Sequence, residues 1–279
     1  MRIDDKKLMT NPEHVIQWSR KLLLLTGVLS MLTVVGVTRN TAAQGTTHPA
    51  KTIAPMKKVL NLLCVGDSIT AAPWGRRRLK AALDKAGYHT DFVGTQFGAN
   101  PEGGFTDGEH EGYPGYKIED VATKLTVPGT GALARFNPDV VLVLLGTNDI
   151  GQGQVAGATD RLAILLRQIR SAEPKAHIFV GTITAILPNA FSDYNKRAAD
   201  VGTYNDAVVA VVAKLQGRDR RIHLVDINAA LPATNDYIGD GVHPSGYGTA
   251  DEKDGYARMG DAWFRAIHEA IPNPETKRR

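Results

Sequence analysis

Cysteine is almost missing from this chain: one residue, Cys64, in 279. No intramolecular disulfide can form, so a fold of this length must be held by its apolar core. Aromatic residues are also few, at 6%, while 43% hydrophobic and 22% charged residues exclude collagen-like, disulfide-scaffold and disordered chains. Internal repeats and low-complexity blocks are lacking, as are the alternating acidic ligands of a calcium loop and the paired histidines of a zinc helix. Asp107, Glu109, His110 and Glu111 do cluster, but they read as a solvated loop; no metal and no cofactor is expected. The apolar run Leu22 to Val37 has 16 residues, short of the roughly 20 that cross a bilayer.

That run follows a polar lead ending in Arg20-Lys21 and precedes the small residues Thr41-Ala42-Ala43, the pattern of an export signal cut after Ala43. The same segment left uncut would anchor the chain in a membrane. The sequence therefore reads as a signal over 1–43, a polar linker over 44–56 and one domain over 57–279, in a secreted or periplasmic protein. The chain carries a net charge of +4, yet residues 1–43 hold six Lys or Arg against three acids, leaving 27 basic and 26 acidic side chains beyond them. A near-neutral mature protein suits a neutral substrate and argues against nucleic acid as a partner.

Val59 to Val65 is apolar except for Asn61 and lacks polar alternation, as a strand covered on both faces requires. Similar runs predict strands over 89–93, 139–145, 178–182 and 222–227, and helical spacing marks 76–86, 118–125, 160–171, 198–215 and 256–270. Residues 247–253 are polar and contain glycine, and read as a loop beside the site. Strands alternating with helices imply an α/β fold with a central parallel sheet of about five strands.

Ligands of such sheets bind outside the carboxyl ends of the strands. Those ends carry Gly66-Asp67-Ser68-Ile69-Thr70, Gly146-Thr147-Asn148-Asp149 and Asp240-Gly241-Val242-His243-Pro244. A serine hydroxyl is a weak nucleophile until a base takes its proton, and the base needs a third group to fix its tautomer. Ser68, His243 and Asp240 supply those three types. Acyl transfer also needs donors aimed at the developing oxyanion: the N–H of Ser68, the N–H of a glycine and the amide of Asn148. A competing reading makes Ser68 a helix cap and Asn148 a turn residue. Asp149 reads as structural, Arg76-Arg77-Arg78 as a solvated helix face, Trp74 as either pocket wall or core, and Cys64 as a small buried hydrophobe.

Together with Gly115 in His110-Glu111-Gly112-Tyr113-Pro114-Gly115-Tyr116, these segments resemble, in order, the four blocks of the SGNH (GDSL-type) hydrolases over roughly residues 57 to 270. The resemblance implies a flavodoxin-like three-layer α/β/α sandwich and metal-independent ester hydrolysis through an acyl-serine. By matching position it implies Ser68 as nucleophile, His243 as base, Asp240 as its orienter, and Ser68, Gly115 and Asn148 as oxyanion donors, with Gly112 the alternative to Gly115. The His110 to Tyr116 block is similar to that of secreted acetylxylan esterases and related carbohydrate deacetylases, which points to short acyl esters on a small molecule or polysaccharide. Longer acyl chains, as in a lipase, lysophospholipase or thioesterase, are the alternative within this chemistry. A non-catalytic glycan-binding module is the alternative outside it.

Overall fold

Residues 58–246 and 254–273 are described by the computed structural model. The chain divides into two compact units, 1–53 and 54–279. The first unit lies outside the described residues, as do the remainder of the linker and the 247–253 loop. In the second unit the chain runs β1 (Val59–Gly66), α1 (Ser68–Ala71), α2 (Pro73–Lys85), β2 (His89–Val93), β3 (Gln96–Phe97), β4 (Glu109–Gly112), α3 (Ile118–Leu125), α4 (Ala132–Arg135) and β5 (Val140–Leu144). It continues through α5 (Thr147–Gly151), α6 (Ala158–Ala172), β6 (His177–Gly181), α7 (Tyr194–Gln216), β7 (Ile222–Val225), α8 (Ile227–Ala230) and α9 (Gly255–Ala270).

The five strands read from the sequence form the parallel core, in the order β2-β1-β5-β6-β7. That is the flavodoxin order, and every residue of its central strand β5 is buried. Right-handed crossovers in the two directions away from β1 send helices to opposite faces. Accordingly α2 packs on α9, while α6 packs on both α3 and α7.

The sheet has seven strands where about five were expected. β1 pairs with β2 over Val59–Leu63, and its last residues Val65 and Gly66 pair in parallel with Glu111 and Gly112 of β4. β3 then joins β4 antiparallel. These two strands have two and four residues and rest on a charged, glycine-rich stretch, so hydrophobic periodicity could not reveal them.

Candidate active site

Strand order reverses between β1 and β5, and the crevice beyond their carboxyl ends is where such sheets place their ligands. Ser68 follows β1 there, and Asn148 follows β5. The cap of α1 is Asp67 and not Ser68: Asp67 Oδ1 accepts the N–H of Ile69 at 2.9 Å. Burial pushes the Asp67 carboxyl up to about 6. Ser68 is thus the first helical residue, and its hydroxyl is left for other partners. Its Oγ stands 2.8 Å from Nε2 of His243, which lies 175 positions away in sequence.

The segment carrying His243 is tied down on two sides. Leu187 N–H donates to the Gly241 carbonyl at 2.8 Å, and Gly239 N–H donates to the His243 carbonyl at 3.0 Å. Within the turn, Asp240 Oδ1 accepts the backbone N–H groups of Val242 at 2.9 Å and His243 at 2.7 Å. Its Oδ2 takes the remaining position, 2.7 Å from His243 Nδ1. One carboxylate therefore orders the turn and holds the ring with Nε2 facing Ser68, which is why a three-residue spacing suffices. Partial burial pushes the Asp240 carboxyl up, but the donors it gathers from His243 and Val242 outweigh that and hold it below the usual carboxylate range. The Asp240 side chain is 56% exposed and that of His243 28%, so the pair faces open solvent.

On the other side of the serine, Tyr116 N–H donates to the Tyr113 carbonyl at 3.1 Å, closing a turn with Pro114 and Gly115 at its centre. Gly115 adopts φ +79°, the left-handed geometry that the third position of a type II turn demands. Two amide side chains brace the turn. Gln152 Nε2 donates to the Gly115 carbonyl at 2.8 Å, and Asn148 Nδ2 donates to the Tyr116 carbonyl at 3.0 Å. The N–H groups of Ser68 and Gly115 have no acceptor among the described residues. Gly112 differs. Its N–H donates to His110 Nδ1 at 2.9 Å, and a Cβ there would stand 2.5 Å from the backbone nitrogen of Ala71. Gly112 thus serves close packing against α1, and Gly115 is the glycine left with an uncommitted donor.

Asp149 is completely buried, with Oδ2 accepting the Ile118 N–H at 3.1 Å and Oδ1 2.7 Å from the Arg161 guanidinium. It pins α5 to α3 and α6, a structural role as expected.

Two sequence readings are corrected here. The Asp107 to Glu111 segment is not a solvated loop: Glu109–Gly112 is β4, and His110 and Glu111 are buried. Glu111 accepts the Thr95 N–H with one oxygen and the Tyr113 hydroxyl, at 2.5 Å, with the other. Among the described residues no group of three or more His, Cys, Asp or Glu could hold a metal ion. Arg76 is not on a solvated face either. It is buried, and it donates to the carbonyls of Thr70, Ala71, Gly98 and Gly108, clasping α1 to the loop that follows β3. Arg78 pairs with Asp261 on α9 at 2.7 Å. Trp74 packs against the core, and Cys64 is buried with its thiol pushed up to about 12, which makes it inert. Sequence reasoning missed Gln152, a single amide in a polar stretch that carries no local signal.

A doubly wound parallel sheet with a serine, a histidine and an aspartate linked at its switch point defines an α/β ester hydrolase. The chain belongs to the GDSL-like lipase/acylhydrolase family, whose model matches residues 64–250. It is 28% identical over 229 residues to a multidomain esterase of Ruminococcus flavefaciens, covering 75% of this chain and 28% of that protein. The chain thus spans under a third of that relative's length. Among solved structures it resembles a carbohydrate esterase family 3 protein from Talaromyces cellulolyticus, with a TM-score of 0.60 and 25% identity over 76% of this chain and 98% of that one. It also resembles a serine-to-alanine variant of an acetyl esterase with acetate ion, with a TM-score of 0.58 and 26% identity over 76% of this chain and 98% of that one.

Proposed function

We propose that this acylhydrolase is an exported serine esterase that removes small acyl groups, acetyl above all, from carbohydrate. The observation that carries the catalytic assignment is the unbroken hydrogen-bonded chain from Ser68 Oγ to His243 Nε2, at 2.8 Å, and from His243 Nδ1 to Asp240 Oδ2, at 2.7 Å. Likeness to a family 3 carbohydrate esterase and to an acetyl esterase supports the substrate class. A near-neutral charge beyond residue 43 and the polar, glycine-rich segment from Phe97 to Gly115 support a short acyl group over a long lipid chain.

In this reading Asp240 fixes the tautomer that carries its proton on Nδ1. Nε2 of His243 then takes the hydroxyl proton as Ser68 Oγ bonds to the ester carbonyl carbon. The charge that develops on the carbonyl oxygen is met by the N–H groups of Ser68 and Gly115 and by the second amide hydrogen of Asn148. When the tetrahedral adduct collapses, the bond to the sugar oxygen breaks and His243 returns its proton to that oxygen. Water repeats the cycle on the acyl-serine, releasing acetate and restoring the hydroxyl. Residues 1–43 act as the export signal, 44–56 as a linker and 57–279 as the hydrolase domain.

The test is a series of p-nitrophenyl esters of increasing chain length run beside acetylated xylan. Maximal kcat/KM on the acetate ester, with acetate released from the xylan and both lost in Ser68→Ala, is expected. A maximum at long chains without acetate release overturns the carbohydrate reading. Failure of a fluorophosphonate probe to label Ser68 in folded protein overturns the enzyme assignment in favour of a binding module. Intact mass of the exported protein beginning at Gln44 is expected for the signal, and a species retaining Met1 refutes it.

A further inference from the structure

We infer that Tyr116 is the platform on which the ester-bearing sugar ring stacks, an inference that rests on the carbohydrate esterase reading above. Tyr116 directly follows Gly115, and its own carbonyl is held by Asn148 at 3.0 Å, so two proposed oxyanion donors flank it in sequence and in space. In this inference the alcohol portion of an ester held at those donors and at Ser68 Oγ extends over the turn that carries Tyr116. Tyr116 is 36% exposed although it packs against a buried aromatic ring.

What lies beneath the ring makes it rigid. Tyr116 stacks on Tyr113 with ring centroids 5.3 Å apart and planes 23° apart. Tyr113 is itself buried, and its hydroxyl donates to Glu111 Oε2 at 2.5 Å and lies 3.2 Å from Thr95 Oγ1. Glu111 is completely buried in β4 and is further fixed by the Thr95 N–H. A buried carboxylate therefore locks one tyrosine so that it can support another at the surface. A pyranose presents a face of polarised C–H bonds that meets the negative π face of an aromatic ring, while its hydroxyls project from the rim. The nearest amide side chain that the turn itself brings is Gln152, bound to the carbonyl of the adjacent Gly115 at 2.8 Å. An ester without a ring gains nothing from this surface. The platform is thus a determinant of substrate class and not part of the acyl-transfer machinery.

The experiment compares wild type, Tyr116→Ala and Tyr116→Phe on an acetylated xylo-oligosaccharide and on ethyl acetate, with acetate release followed in both. The expected result is a ratio of kcat/KM, sugar ester over ethyl acetate, about three- to tenfold lower in Tyr116→Ala, carried by KM and not by kcat, and recovered in Tyr116→Phe. Equal losses on the two substrates would mean a structural role for the ring, and a wild-type ratio in Tyr116→Ala would mean no role; either overturns the inference. If wild type cleaves ethyl acetate but no acetylated sugar, the carbohydrate reading itself fails and the platform with it. If wild type cleaves both and the ratio is unmoved by Tyr116→Ala, the platform alone fails.

Discussion

The backbone N–H of Gly112 donates to Nδ1 of His110 at 2.9 Å, inside a strand that pairs with the end of β1. The acceptor must be an unprotonated nitrogen, so His110 is neutral in the fold. Burial first, and the charge of Arg76 second, push its imidazole down from 6.5 to about 3.

A pH dependence of stability follows, with a definite sign. The unfolded chain takes up a proton at this ring below about 6.5 and the folded chain does not until about 3. The contribution of His110 is therefore present above pH 6.5 and lost as pH falls toward 3. In His110→Asn the side-chain oxygen keeps an acceptor for Gly112 but does not titrate. Urea unfolding between pH 6 and pH 4 should show wild type losing about 1.4 kcal/mol per pH unit more than the variant. Parallel slopes would contradict the buried neutral ring.

Replacing Asp240 with Asn removes the acceptor for His243 Nδ1–H and invites the opposite tautomer. A loss in kcat of about 100-fold or more is expected, with KM for p-nitrophenyl acetate little changed. Because its donors hold the Asp240 carboxyl below the usual carboxylate range, it stays ionised as pH falls through that range. Protonation of Asp240 should accordingly not set the acid limb of the pH–rate profile within that range, and an acid limb that moves with the Asp240 carboxyl followed by NMR would contradict this.

Asn148→Ala deletes one proposed oxyanion donor and the brace to the Tyr116 carbonyl. Turnover should drop by roughly 10²–10³ with the fold intact by circular dichroism. Turnover at the wild-type level would remove Asn148 from the mechanism.

Arg161→Leu leaves the carboxylate of Asp149 completely buried with backbone N–H groups such as that of Ile118 but no cation to meet it. Removing one partner of a buried ion pair costs about 3–5 kcal/mol, so a large fall in Tm is expected near pH 7. Burial already raises the Asp149 carboxyl against the pull of Arg161, and loss of the guanidinium raises it further. Protonation then neutralises the orphan, and the difference in Tm from wild type should shrink as pH is lowered. A constant difference across pH would show that the ion pair is not its source.

Much of the frame was legible in the residues. Strands such as Val140–Leu144 are buried throughout and read as unbroken apolar runs, and helices such as Ile118–Leu125 begin and end where their spacing says. The short elements were not legible, because α1, α4, α5 and α8 have four or five residues each and make too few turns to show a period. Nor was the burial of Arg76, Glu111 and His110: charged and polar side chains enter a core only where partners such as the Thr70 and Gly98 carbonyls meet them, and those partners come from other segments.

By itself the sequence determined the alternation of strand and helix, and hence that Ser68 and Asn148 would follow parallel strands at one edge of one sheet, because hydrophobic period and chain order are local properties. Only the tertiary structure decided that Ser68 and His243 stand 2.8 Å apart, and that Gly115 and not Gly112 keeps an uncommitted N–H. A donor is free or spent according to what the fold brings beside it, and residues distant in sequence supply that.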